Sequence, residues 1–219
     1  MSRIFITGSS DGLGRLAAKL LIEQGHSVVL HGRNASRSGD AVLAASGAEG
    51  VITGDISTVA GAKVVADEAN KLGPFDAVVH NAGIGYRQTR RTETEPGVPD
   101  IFAVNVLAPY ILTALIQRPK RLIYVSSGMH QGVRPAMDDL LWTKRAWSGA
   151  SAYAEAPDDL MEGCVTQAWL ATSEDAPARS TSGYFYHQRP RSPNSLAKDV
   201  AIQEQLLTEC RRLSGITLE

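Results

Sequence analysis

Gly8, Gly12 and Gly14 stand close together between an apolar run and a helix-like stretch. Before them, Ile4-Phe5-Ile6 reads as a short strand ending in Thr7-Gly8. After them, Leu13, Leu16, Ala17, Leu20 and Leu21 recur at helical spacing on one face, and Gly25 stops the helix. A strand entering a helix through such a turn is a demanding arrangement. The glycines let the backbone bend sharply, and the helix start offers unsatisfied N–H groups and the positive end of its dipole. Thr7, Gly8, Ser9, Ser10, Asp11, Gly12, Leu13 and Gly14 are therefore a candidate anion cradle. The spacing is G-x-x-x-G-x-G rather than the commoner G-x-G-x-x-G. A simple tight turn is the plain alternative, and the placement between strand and helix argues against it.

The alternation continues. Ser27-Val28-Val29-Leu30 predicts a second strand and Val51-Ile52 the start of a third. Ser57 is the expected N-cap of a helix carrying Ala62, Val65, Ala66 and Ala69. Ala77-Val78-Val79 predicts a fourth strand, 101–117 a long apolar helix kinked at Pro109, and Leu122-Ile123-Tyr124-Val125 a fifth strand. These strands do not alternate in polarity, as expected for a parallel sheet buried on both faces. The expected fold is α/β, a Rossmann-like doubly wound parallel sheet with helices on both faces, in a single domain over 1–219. Val200, Leu206, Leu207, Cys210 and Leu213 predict the core face of a C-terminal helix.

Composition narrows the functional classes. The 219 residues carry 22 basic and 23 acidic side chains, net charge −1, so no electrostatic footprint for nucleic acid is expected. No apolar run has the length of a membrane span, and the N-terminus carries no signal-peptide pattern. Cys164 and Cys210 lack paired spacing, which points to reduced thiols and a cytoplasmic setting. No metal-ligand cluster and no G-x-S-x-G elbow occurs.

Further motifs fall in order along the chain. Asp55-Ile56 follows the third strand, and His80-Asn81-Ala82-Gly83 follows the fourth. Asn105 lies in the long helix, and Ser126-Ser127 close the fifth strand. With the T-G-x-x-x-G-x-G turn, this series resembles the short-chain dehydrogenase/reductase family over about residues 3–153, with His80 replacing the first Asn of N-N-A-G. The resemblance resumes at Gly183-Tyr184-Phe185-Tyr186, which reads as the last strand.

The resemblance implies a dinucleotide held by the glycine turn, with Asp55 and Ile56 near the adenine and Asn81, Ala82 and Gly83 along the cleft. It implies Asn105, Ser127 and Tyr153 as active-site residues on an alcohol or carbonyl substrate. After the second strand, Gly32 stands where an acidic residue would bind a ribose 2′-hydroxyl, and Arg33-Asn34 follow. A guanidinium there suits a 2′-phosphate, so NADP(H) is expected over NAD(H). A solvated surface arginine is the alternative.

One part of the family pattern fails. The family places a Lys four residues after its Tyr, where the ammonium lowers the phenol pKa. Residue 157 is Pro, and Ala154-Glu155-Ala156-Pro157-Asp158-Asp159 reads as the start of a new helix. The usual helix and sixth strand of the family are therefore expected to be missing, and with them the helix that usually buries the dimer seam. Homo-oligomer formation is left open on that account, and an apolar face and a strand edge are expected to be uncovered. Lys144 precedes Tyr153 and cannot substitute by spacing. His130 is read as a loop residue. Trp142 and Trp147 line a substrate mouth, pack in the core or belong to an interface. Tyr184, Tyr186 and His187 belong to a packed final strand. A hydride-transferring oxidoreductase is the first reading. A catalytically silent dinucleotide binder is the second.

Overall fold

The structure is a computed structural model that describes residues 1–85, 88–126, 134–148 and 160–218. Strands β1 (Arg3–Ile6), β2 (Ser27–Gly32), β3 (Gly50–Thr53), β4 (Ala77–His80) and β7 (Arg121–Tyr124) form one parallel sheet in the order β3-β2-β1-β4-β7. Helices α1 (Gly12–Glu23), α2 (Ala35–Ala44) and α3 (Val59–Leu72) alternate with them. A small hairpin, β5 (Glu93–Glu95) with β6 (Val98–Pro99), precedes the long helical stretch.

Side chains of successive strand residues leave on opposite faces, and the core divides accordingly. Ile4, Ile6, Val28, Leu30, Ala77, Val79 and Ile123 pack against α1, α2 and helix α6 (Leu160–Thr172). Phe5, Val29, Ile52 and Val78 pack on the other face against α3 and helix α5 (Ala108–Leu115). Both faces are covered, which is why these strands read as continuous apolar runs. The doubly wound fold expected from the sequence is the fold observed.

Several local readings change. Thr58, not Ser57, caps α3: its side chain accepts the Gly61 N–H at 3.0 Å. Ser57 is buried, and its N–H donates to the Asp55 carboxylate at 3.0 Å. The helix expected over 101–117 is divided into α4 (Asp100–Phe102), a π-turn (Ala103–Leu107) and α5. Pro109 has no N–H for the Asn105 carbonyl four residues back, so the chain takes a wider turn, with the Ala108 N–H bonding to the Ala103 carbonyl.

The C-terminal helix α7 (Val200–Ser214) buries Cys210 and packs Leu206 and Leu213, but Val200 and Leu207 face solvent. It lies over Ala62, Phe102, Leu107, Tyr110 and Ile111 and so covers the outer side of α3 and α5. The Tyr110 hydroxyl fastens the segment after α7 by donating to the Ile216 carbonyl at 2.8 Å.

The expected last strand does not join the sheet. Phe185–Tyr186 (β8) pairs instead with Arg189–Pro190 (β9), across a turn in which His187 and Gln188 both have positive φ, 47° and 59°. In the doubly wound order the neighbour of a late strand is the one before it. Among the described residues the sheet ends at β7, so no such neighbour is offered. The edge is partly bare: Leu122 is 39 % and Tyr124 52 % exposed.

Candidate active site

The described elements of the candidate site meet at the carboxyl ends of the parallel strands, where the order reverses between β1 and β4. The glycine turn leaves β1 at Thr7. Gly8 has φ +65°, and a Cβ on it would lie 2.8 Å from the Ala82 Cα. A Cβ on Gly14 would lie 2.3 Å from Asn81 Nδ2 and 2.5 Å from the Gly8 carbonyl. The turn is thus pressed against the segment after β4, and only hydrogen fits at these two positions. Gly12 differs: φ is +51° and a Cβ would meet nothing within 4 Å, so this part of the turn faces open space.

That contact is sewn by hydrogen bonds. Thr7 Oγ1 accepts from the N–H groups of Asn81 and Ala82, each at 3.1 Å. Asn81 Nδ2 donates to the carbonyls of Thr7 and Gly8, each at 3.0 Å. Gln167 of α6 donates to Asn81 Oδ1 at 3.3 Å. Asn81, Ala82 and the turn are one unit, and Gly83 is exposed beside it.

The helix start behind the turn is open to an anion. Asp11 is the N-cap of α1 yet makes no side-chain cap bond, because its carboxylate pairs with Arg37. By contrast α2, α3 and α7 are capped by Asn34, Thr58 and Asp199. The first-turn donors of α1 are therefore left for a ligand, and a dinucleotide pyrophosphate fits them. Ser9 and Ser10 are buried, with Ser9 facing inward to His31. Leu13 packs on the core.

Arg33 is exposed at the end of β2 and has no ion-pair partner among the described residues. Gly32 before it is sterically required, since a Cβ would lie 2.5 Å from the Ser38 N and 2.6 Å from its Oγ. The acidic residue missing from this position has no room here. Asn34 serves as helix cap, accepting the Arg37 N–H at 3.0 Å. Asp55 is exposed beyond β3, whereas Ile56 is buried in the core beside Ile52 and Val65.

Asn105 is brought to the same end of the sheet. Its Oδ1 accepts the Ile84 N–H and its Nδ2 donates to the Ile84 carbonyl, both at 2.9 Å. His80, just before Asn81, is 4 % exposed; burial pushes its imidazole down to about 4. Its Nε2 is 3.1 Å from Thr113 Oγ1, which in turn is 2.6 Å from the Tyr124 hydroxyl.

Ser127, Tyr153 and His130, with the junction around Pro157, lie outside the described residues. Trp142 and Trp147 meet edge to face at 5.3 Å, and the Arg145 guanidinium sits 3.6 Å over the Trp142 ring. Lys144 is exposed. Among the described residues there is no group of three metal-ligating side chains and no helix long and apolar enough to cross a membrane. Sequence reasoning missed His31, Arg37 and Gln167. A polar residue within the apolar β2 run was the available signal for His31. Nothing local marked the other two.

The fold and turn are of the doubly wound, nucleotide-binding type, and the comparisons show the family. Residues 2–129 match the short chain dehydrogenase family. An uncharacterized oxidoreductase of Emericella nidulans is 42% identical, over 99% of this chain and 98% of that protein. The short-chain dehydrogenase chry4 of Gibberella zeae is 34% identical, over 100% and 99%. A crystal structure of an uncharacterized protein from Mycobacterium paratuberculosis shares the fold, with TM-score 0.80 and 21% identity over 100% of this chain and 95% of that one. The chain belongs to the short-chain dehydrogenase family. The alignment with the Emericella protein runs over 250 positions against 219 residues here, so about thirty of its positions have no residue in this chain.

Proposed function

We propose that the protein is an NADP(H)-dependent oxidoreductase acting on an alcohol or carbonyl compound. Members of the family use NAD(P)(H), and the residues present suit it: an uncapped α1, a Gly12 facing open space, and the turn held by Asn81 and Ala82. When bound, the nicotinamide supplies or accepts the hydride. The single observation that favours the phosphorylated dinucleotide is the end of β2. Gly32 leaves no space for the carboxylate that would bind a 2′-hydroxyl, and exposed Arg33 stands next to it.

Thr7 through Gly14 bind the pyrophosphate, Arg33 and Asn34 border the 2′-phosphate, Asp55 and Ile56 the adenine, and Asn81 to Gly83 the inner cleft. Asn105 holds Ile84 in place at the cleft floor. Ser127 hydrogen-bonds the substrate oxygen and Tyr153 exchanges a proton with it. No tyrosine of the chain has a lysine four residues on. A neutral phenol is already a competent proton donor at pH 7, so carbonyl reduction is the favoured direction. Alcohol oxidation needs the phenolate, and Tyr153 has no lysine four residues on to help form it. The spacing of Cys164 and Cys210, which suggests no disulfide framework, supports a cytoplasmic setting.

The test is a titration of the purified protein with NADPH and NADH, followed by NADPH oxidation over a panel of ketones and aldehydes. Tighter NADPH binding, lost in Arg33→Ala, and turnover abolished in Tyr153→Phe are expected. Equal affinity for both dinucleotides removes the preference. Binding with no turnover of any carbonyl favours the silent binder.

A further inference from the structure

His31 lies near the end of β2, is 2 % exposed, and has both ring nitrogens engaged. The Gly8 N–H donates to Nδ1 at 3.0 Å, and Nε2 is 2.9 Å from the Gly54 carbonyl. A backbone N–H can only donate and a carbonyl can only accept. The ring is therefore neutral, with its proton on Nε2. The backbone of the same residue is tied to the turn as well. His31 N–H donates to Ser9 Oγ at 2.8 Å, and its carbonyl accepts the Ser9 N–H at 3.1 Å. One side chain thus bridges the glycine turn after β1 and the bend after β3, the two segments that the proposed function gives to the pyrophosphate and to the adenine.

We propose that neutral His31 is a positioning residue for the dinucleotide, fixing Gly8–Ser9 against Gly54–Asp55 so that the phosphate and adenosine halves of the site keep one separation. The proposal rests on the dinucleotide reading above. Protonation would place an Nδ1–H against the Gly8 N–H at 3.0 Å, two donors with no acceptor between them. Ala82 already crowds Gly8, so the turn would have to shift as a whole.

The surroundings favour the neutral ring. Burial lowers its pKa below the ordinary imidazole range, while the Gly54 carbonyl and the Asp55 carboxylate pull weakly the other way. Asp55 is the charged group acting on it. Phe5 of β1 presents an edge-on ring at 6.4 Å, and Ser9 is neutral. A group held neutral in this way supports binding above its own pKa, and that support is lost as pH falls through it.

The test compares wild type with His31→Asn and His31→Leu. Asparagine places an acceptor near the position of Nδ1, whereas leucine keeps bulk without one. NADPH affinity is followed by fluorescence from pH 8 down to 5, and Gly8 and Ser9 amide exchange by NMR in the cofactor-free protein. His31→Leu should weaken NADPH binding by about tenfold or more, the scale of one lost buried hydrogen bond, with faster Gly8 exchange. His31→Asn should bind within about threefold of wild type at pH 8, well inside one such bond. Wild-type affinity should then fall more steeply in acid than that of His31→Asn, which keeps every other titration, the cofactor phosphate's and His80's included.

Unchanged binding and unchanged Gly8 protection in His31→Leu overturn the proposal, as do superimposable pH profiles of wild type and His31→Asn. If His31→Leu does not fold, those two profiles decide alone. If wild type binds neither dinucleotide, the cofactor reading falls. The pH response of the Gly8 amide then decides the positioning role, and an identical response in His31→Asn overturns it.

Discussion

Asn105 holds the backbone of Ile84 from both sides, its amide oxygen accepting the Ile84 N–H and its amide nitrogen donating to the Ile84 carbonyl, each at 2.9 Å. Ile84 follows directly on Asn81-Ala82-Gly83, so this pairing ties the long helix to the segment that buttresses the glycine turn. Asn105→Ala should lower stability by about 1–3 kcal/mol, because two part-buried backbone groups lose their partners. Asn105→Asp keeps the acceptor but sets a carboxylate oxygen against the Ile84 carbonyl, and should be no more stable than alanine. Thermal melts of the three proteins check this order.

Alanine at the two helix-side glycines should act very differently. At Gly14 the new Cβ meets Asn81 Nδ2 at 2.3 Å and the Gly8 carbonyl at 2.5 Å, so Asn81 must leave its bonds to the turn. An overpacking cost of about 1–3 kcal/mol and loss of dinucleotide binding are expected. At Gly12 the Cβ meets nothing, and only the positive φ is penalised, about 1 kcal/mol. Parallel melting and binding titrations of Gly14→Ala and Gly12→Ala separate the two cases.

Acid should destabilise the fold through His80. Its imidazole is held at about 4 by burial, below the ordinary 6.5. The unfolded chain therefore takes up the proton first. The neutral ring's contribution is fully present above pH 6.5 and is lost as pH falls from there to about 4, by up to about 3 kcal/mol. His31 adds a contribution of the same sign. Denaturant unfolding at a series of pH values should show a shallower acid limb in His80→Asn. Identical limbs in both proteins would place the effect elsewhere.

The cysteines should be chemically quiet in the folded state. Cys164 is fully buried, and burial pushes the Cys210 thiol up to about 11. With no access at Cys164 and almost no thiolate at Cys210, neither should react with a thiol reagent at pH 7.5 until the protein is denatured. Mass spectrometry after timed alkylation reads this directly.

Much of the frame was legible because it is local. Ile4-Phe5-Ile6, the glycine turn and the Leu13–Leu21 face carry their periodicity in adjacent residues, and so do Ala77-Val78-Val79 and Asn81-Ala82-Gly83. Thr58 rather than Ser57 is the cap because the helix begins at Val59, which puts the Thr58 hydroxyl three residues before the Gly61 N–H that it accepts. What else escaped depends on long-range partners. Phe185–Tyr186 has strand-like residues but no neighbouring strand to pair with in the main sheet. His31 gains its role only when Gly8 and Gly54 close on it from two other loops. Arg37 matters through Asp11, which is remote in sequence.

The pairing of α1 with α6 carries a consequence for how the molecule is made. Ala17, Ala18 and Leu21 are covered by Cys164, Ala168 and Ala171, which are synthesised much later. Gln167 completes the bonding of Asn81 from the same helix. A ribosome that has extended the chain only as far as β7 has therefore finished the main-sheet strands found among the described residues, while α1 still lacks its cover from α6. The nascent chain must wait, with that apolar surface open to chaperones or to neighbouring chains, until Thr172 has cleared the exit tunnel.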